Sequence, residues 1–119
     1  MHRFANPARF LRITDAVLPW SAALTIVLLA LGLYYGLWAS PVDYQQGATV
    51  RIMYIHVPAA WMGMMIYSLM AIASAVALIW RHPLADLIAK AAAPIGASFT
   101  FICLVSGSLW GAPTRGPWW

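Results

Sequence analysis

The three histidines are the side chains of this sequence best suited to bind a metal or a haem iron. His2 lies beside the N-terminus, and His82 lies in a short polar segment. His56 is different, because it occurs in the motif Met53-Tyr-Ile-His-Val-Pro-Ala-Ala-Trp61, where a helix is predicted to begin with Pro58 in its first turn. An imidazole among these aromatic and methionine side chains suits axial ligation of haem iron. The alternative is an interfacial histidine that hydrogen-bonds a backbone carbonyl.

A second candidate region is the tryptophan-rich segment Trp110-Gly-Ala-Pro-Thr-Arg-Gly-Pro-Trp-Trp119. Its glycines and prolines argue against regular helix, and its tryptophans offer broad flat surfaces. This composition suits a platform for a flat apolar ligand. The alternative is an aromatic anchor at the membrane interface, which would need fewer aromatic side chains.

Other chemistry is poorly represented in the sequence. It contains no Ser-His-Asp set, no phosphate-binding glycine loop and no pair of carboxylates, so we expect that the protein is not an enzyme. Cys103 is the single cysteine, which excludes an intramolecular disulfide and a cysteine-rich metal centre. The basic residues are scattered along the chain, so we expect no nucleic-acid partner.

The elements that must position these residues are membrane-spanning helices. The chain is 63% hydrophobic and 8% charged, whereas soluble domains carry about 25% charged residues. Charge-free runs at 16–42, 52–80 and 91–114 each exceed the length that a helix needs to cross the hydrocarbon. We therefore predict an all-α integral membrane protein with membrane lipid around helices near 17–38, 58–80 and 92–110. Tryptophans bracket the first two spans at Trp20, Trp38, Trp61 and Trp80.

The distribution of Lys and Arg predicts the orientation of these spans. Five of the seven lie before span one or between spans two and three, and two lie in the other segments. The excess of positive charge predicts a cytoplasmic N-terminus. A cleaved signal peptide is disfavoured, because the first apolar run is too long. The single membrane domain 1–119 then comprises a cytoplasmic tail 1–16, an outer loop 39–57, a cytoplasmic loop 81–91 and an outer segment 111–119.

Two motifs resemble a known family. Met53-Tyr-Ile-His-Val-Pro-Ala-Ala-Trp-Met62 and Gly107-Ser-Leu-Trp-Gly-Ala-Pro113 are similar to the haem exporter protein C family of cytochrome c maturation. The resemblance implies handling of haem b as cargo, with His56 as one of two axial ligands to its iron. It further implies that the tryptophan-rich segment presents haem at the outer face through Trp110, Gly111, Pro113, Gly116, Trp118 and Trp119.

The resemblance also implies partners for this function. They are a periplasmic haem chaperone that carries haem to apocytochrome c, a cytoplasmic ATP-binding cassette module and a small single-span protein. A structural or assembly subunit of a respiratory complex, without its own haem site, is the alternative. A b-type electron-transfer subunit is less compatible, because spans one and three contain no histidine at membrane depth.

The sequence departs from the family pattern in two respects. The family has six spans, whereas three are predicted here. The sequence also contains neither the acidic residue that follows the paired tryptophans in the family nor a second periplasmic histidine. In addition, Arg115 and Pro117 stand where the family usually has tryptophan and a small hydroxyl residue. These departures predict a chain truncated from a six-helix architecture.

Overall fold

The computed structural model describes residues 6–118 and contains three long helices in that range. Helix α1 comprises Pro7–Tyr34 and continues as a π-helical turn at Tyr35–Ala39, α2 comprises Val50–Trp80, and α3 comprises Pro83–Arg115. All three are long and apolar enough to cross a membrane. The all-α, three-span prediction is confirmed, and each predicted span lies within one of these helices. His2 and Trp119 lie outside the described residues.

The helices extend beyond the predicted spans. Prolines suit helix starts because their missing N–H would have no partner there, and Pro7 begins α1 while Pro83 begins α3. The Asn6 side chain caps α1 by accepting a hydrogen bond from the Ala8 N–H at 3.0 Å. Only Arg81 and His82 connect α2 to α3, and Arg81 adopts φ 51°. The apolar runs therefore marked the hydrocarbon-spanning part of each helix rather than its ends.

The prediction that Pro58 lies in the first turn of its helix is wrong. Helix α2 begins at Val50, so Pro58 lies in its interior. Proline there withholds an N–H from the carbonyl of Tyr54. Membrane helices tolerate such an interruption when neighbouring elements support the backbone, and Ala59, the next residue, is buried.

The prediction that the tryptophan-rich segment is not helical is wrong for most of its length. Helix α3 continues through Gly111 and Pro113 to Arg115, and the helix is broken at Gly116, whose φ is 87°. A positive φ of this kind is readily adopted by glycine alone. Gly111 and Pro113 do not end the helix. Gly111 is buried, so packing at this position outweighs the low preference of glycine for helix.

The chain divides into two units, 1–39 and 40–119. In the second unit α2 and α3 pack as an antiparallel hairpin joined by their two-residue connection. Small residues allow the close approach: a Cβ on Gly63 would lie 3.6 Å from Thr100 Oγ1, and a Cβ on Gly96 would lie 3.0 Å from Ile66 Cγ2. This register places the start of α2 beside the end of α3. The buried seam consists of Ala59, Gly63, Ile66 and Ala73 on α2 and of Ala85, Ala92, Gly96, Ser106 and Gly111 on α3.

Candidate functional site

His56 lies on the second turn of α2 and faces α3. Its Nδ1 lies 3.0 Å from the carbonyl oxygen of Cys103 and 3.2 Å from Ser106 Oγ. Because a carbonyl oxygen only accepts hydrogen bonds, Nδ1 carries the hydrogen in this arrangement. In the neutral ring the lone pair then lies on Nε2, which has no hydrogen-bond partner among residues 6–118. Histidines that bind metals are usually oriented in this way, with one nitrogen donating to a carbonyl and the other facing the metal.

Two adjacent residues of α3 form the seat of this imidazole. Ser106 is 7% exposed, and its hydroxyl donates to the carbonyl of Ile102 at 2.6 Å. Its oxygen is therefore free to accept from His56 Nδ1–H, which is shared between Ser106 and Cys103. At Gly107 an added Cβ would lie only 2.9 Å from His56 Cε1. The ring thus occupies space that only glycine leaves open at this position.

Trp110 lies one turn beyond Ser106 on α3 and is held from two sides. Its indole N–H donates to Gln46 Oε1 at 2.9 Å, and the guanidinium carbon of Arg115 lies 4.9 Å from its ring centroid. Gln46 is itself positioned by a compact loop, because Asp43 Oδ1 accepts hydrogen bonds from the N–H groups of Gln45 and Gln46 at 2.9 and 2.8 Å. The indole plane is therefore oriented by contacts from the loop and from the last turn of α3.

The chain reverses at Gly116 and returns toward the helix. The Gly116 N–H donates to the Ala112 carbonyl at 3.1 Å. Pro117 and Trp118 then pack over Gly111, where an added Cβ would lie 3.3 Å from each of their carbonyl oxygens. Trp118 remains 53% exposed, so its indole is available to a ligand.

These residues surround an open, mainly apolar cavity of about 300 Å³. That volume is at the lower end of the usual range for ligand pockets. Among the predicted site residues, His56, Trp110, Gly111 and Trp118 line the cavity, whereas Pro113 and Gly116 do not. The other lining residues are Met53, Cys103, Leu104, Gly107, Ser108, Arg115 and Pro117.

Several residues that shape the site were not assigned to it from the sequence. Gly107 forms a small-xxx-small motif with Gly111, a pattern that by itself indicates helix packing. Arg115 counts in the sequence as one of the charges that predict orientation, and a cysteine in an apolar run such as Cys103 is usually a small packing residue. Nothing in the sequence pattern around Gln46 or Ser106 indicates their contacts, since these depend on the pairing of separate elements.

Comparison with known proteins identifies the family of this chain. A family model described as "heme exporter protein C" matches residues 1–119. The chain belongs to the heme exporter protein C family. The resemblance inferred from the motifs around His56 and Gly107 is thereby confirmed.

Individual members of the heme exporter protein C family are similar along nearly the whole chain. The protein of Bradyrhizobium diazoefficiens is 63% identical over 115 residues, covering 97% of this chain and 43% of the relative. That of Escherichia coli K12 is 47% identical over 119 residues, covering 100% of this chain and 49% of the relative. That of Haemophilus influenzae is 49% identical over 119 residues, with 100% and 48% covered. The chain therefore spans about half the length of the curated relatives it matches.

Proposed function

We propose that this protein binds haem b as cargo for cytochrome c maturation, with His56 Nε2 as an axial ligand to the iron. The observation that carries the proposal is the orientation of the imidazole. Its Nδ1 donates to the Cys103 carbonyl, Nε2 is left without a partner among the described residues, and the ring lines a cavity with two tryptophans. A nitrogen donor with a carbonyl-bound partner nitrogen is the arrangement that haem iron prefers in many proteins.

The surroundings of His56 fit a flat apolar cargo. Trp110 and Trp118 supply aromatic faces, and Gly111 lets the returning chain lie close to the helix. The cavity is smaller than a whole macrocycle, so part of the haem would lie over the exposed face of Trp118. In this proposal Pro113 and Gly116 act by shaping the end of α3 and its reversal. Trp119 lies outside the described residues and keeps the role that the family resemblance implies.

We further propose that the site faces the outer side of a bacterial inner membrane, with the N-terminus in the cytoplasm. The distribution of Lys and Arg supports this orientation. The hairpin brings His56 and the tryptophan-rich segment to the same end of α2 and α3, so both would lie on that side. The protein would bind and present haem rather than catalyse a reaction. Its partners would be a periplasmic haem chaperone, an ATP-binding cassette module and a small single-span protein.

The test compares two histidines that are both half-buried but lie at opposite ends of the hairpin. His56→Ala should lower haem retention in purified membranes and shift the Soret band, because the axial nitrogen is lost. His82→Ala should change neither, since His82 lies in the connection between α2 and α3. Absorption spectra and haem stoichiometry after detergent extraction provide the measurement.

An unchanged spectrum and unchanged haem content in His56→Ala would refute the ligand assignment. The same seat would then be that of a packing histidine whose hydrogen bond joins α2 to α3. That result would favour the structural or assembly subunit, which has no haem site of its own.

A further inference from the structure

Among residues 6–118, Arg115 is the only cation that lines the cavity containing His56. It lies in the last turn of α3, where the helix carbonyls favour a positive charge. This attraction to the helix end does not require the side chain to point in a particular direction. The guanidinium nevertheless lies over the ring of Trp110, with Cζ 4.9 Å from the centroid, an arrangement typical of cation–π stacking.

The charge of Arg115 is not matched by a carboxylate in the described part of the chain. The one ion pair in residues 6–118 joins Lys90 to Asp86 at 2.7 Å, near the other end of the hairpin. Asp43 accepts backbone N–H groups of its own loop, and Arg51 donates to the carbonyl of Ser40 at 3.2 Å. None of the described residues that line the cavity is acidic, so a ligand with an anionic group would meet an uncompensated cation there.

We propose that Arg115 binds a carboxylate of the cargo, namely a propionate of haem, and this inference rests on the proposed haem site. Stacking on Trp110 leaves the N–H groups at the edge of the guanidinium free, and their planar fork matches a carboxylate in two parallel hydrogen bonds. Because Gln46 fixes the indole, the guanidinium is oriented before the ligand arrives. His56, Trp110 and Arg115 then specify the iron, the face and the acidic edge of the macrocycle.

The experiment combines a change in the ligand with a change in the protein. The detergent-solubilised protein is titrated with haem and with haem dimethyl ester, whose propionates cannot accept a charged hydrogen bond as carboxylates do. The wild-type protein should bind haem roughly three- to tenfold more tightly than the ester, as expected for a charge pair near the surface. Arg115→Gln should abolish the preference for haem over the ester, because loss of the stacking on Trp110 affects both ligands alike whereas loss of the charged hydrogen bonds affects haem alone.

Two further variants control this comparison. Arg115→Lys keeps the charge without the planar fork, so it should retain part of the preference for haem. Arg81→Gln removes an exposed arginine at the other end of the hairpin and should retain the whole preference.

The outcomes separate the possible roles of Arg115. If Arg115→Gln weakens haem and the ester equally, the arginine only orients Trp110 and the proposal is overturned. It is also overturned if the preference for haem survives in Arg115→Gln. In that case the thermal stability is compared in nanodiscs of phosphatidylglycerol and of phosphatidylcholine. A higher stability in phosphatidylglycerol that requires Arg115 would identify a lipid phosphate as the anion. If neither ligand gives a spectrum that depends on His56, the haem site itself is wrong and the propionate contact falls with it.

Discussion

His56 uses one ring nitrogen in a hydrogen bond between helices, and the other has no hydrogen-bond partner among residues 6–118. The Cys103 carbonyl and Ser106 hydroxyl hold Nδ1, and Gly107 leaves room for the ring. These three contacts together determine the direction in which Nε2 points. At this scale, the composition of the motif indicated a histidine suited to haem, while the hydrogen bonds that orient it come from a helix some fifty residues later in the sequence.

The seat of the imidazole can be tested by adding one methyl group. In Gly107→Ala the new Cβ would lie 2.9 Å from His56 Cε1, well inside normal carbon–carbon contact, so the ring or α3 must move. We expect a loss of stability of about 1–3 kcal/mol, typical of overpacking, together with an altered haem spectrum. Thermal unfolding and absorption spectra of the extracted protein measure both effects.

Gly63→Ala is the matched control for this substitution. Gly63 is also buried in the hairpin, but a Cβ there would lie at an ordinary 3.6 Å from Thr100 Oγ1. Its haem spectrum should therefore match that of the wild-type protein. Should Gly107→Ala leave the spectrum unaltered as well, the imidazole does not occupy the position described here during haem binding.

The end of α3 is the element that assembles the site. The helix continues past Gly111 and Pro113 and so carries Trp110 and Arg115 on one structural element, after which Gly116 returns the chain over Gly111. The loop 40–49 adds Gln46 as a second support for Trp110. The proposed platform for the cargo is thus a helix end covered by the returning chain rather than an irregular segment.

The reversal can be separated from the histidine by changing Gly116. Its φ of 87° is strained for any residue with a Cβ, at about 1–3 kcal/mol, so Gly116→Ala should release Pro117 and Trp118 from Gly111. We expect haem affinity to fall several-fold while the Soret position due to His56 persists. Haem titration monitored by tryptophan emission and absorbance reports both quantities.

Gly32→Ala serves as the control for this change, because Gly32 has no positive φ and no atom within 4 Å of an added Cβ. It should leave haem affinity unchanged. An affinity in Gly116→Ala equal to that of the control would show that the returning chain does not contribute to binding.

At the scale of the whole molecule, three apolar helices define a multi-pass membrane protein, and the biased distribution of Lys and Arg predicts its orientation. The α2–α3 hairpin has His56 and Trp110 at one end and the Arg81–His82 connection at the other. If Lys and Arg follow the usual rule, the connection is cytoplasmic and the site is on the outer side.

Reporter fusions test this orientation. Alkaline phosphatase, which is active only outside the cytoplasm, should be active when fused after Trp119 and inactive when fused after Lys90. A cytoplasmic reporter such as green fluorescent protein should give the opposite pattern at the same two positions and so controls for expression. Phosphatase activity after Lys90 alone would reverse the orientation and place His56 on the cytoplasmic side.

The sequence by itself determined the number of spans, the membrane environment, the family and two of the regions that meet at the site. These properties depend on how many apolar residues occur in succession and on short motifs, which are local in the chain. Only the tertiary structure decided that α2 begins at Val50, that Pro58 lies inside it and that α3 extends to Arg115. It also decided which atoms meet, because the seat of His56 and the stacking of Arg115 depend on the register and rotation of one helix against another. Hydropathy is insensitive to both: sliding or rotating two apolar helices leaves their composition unchanged but replaces every side-chain contact between them.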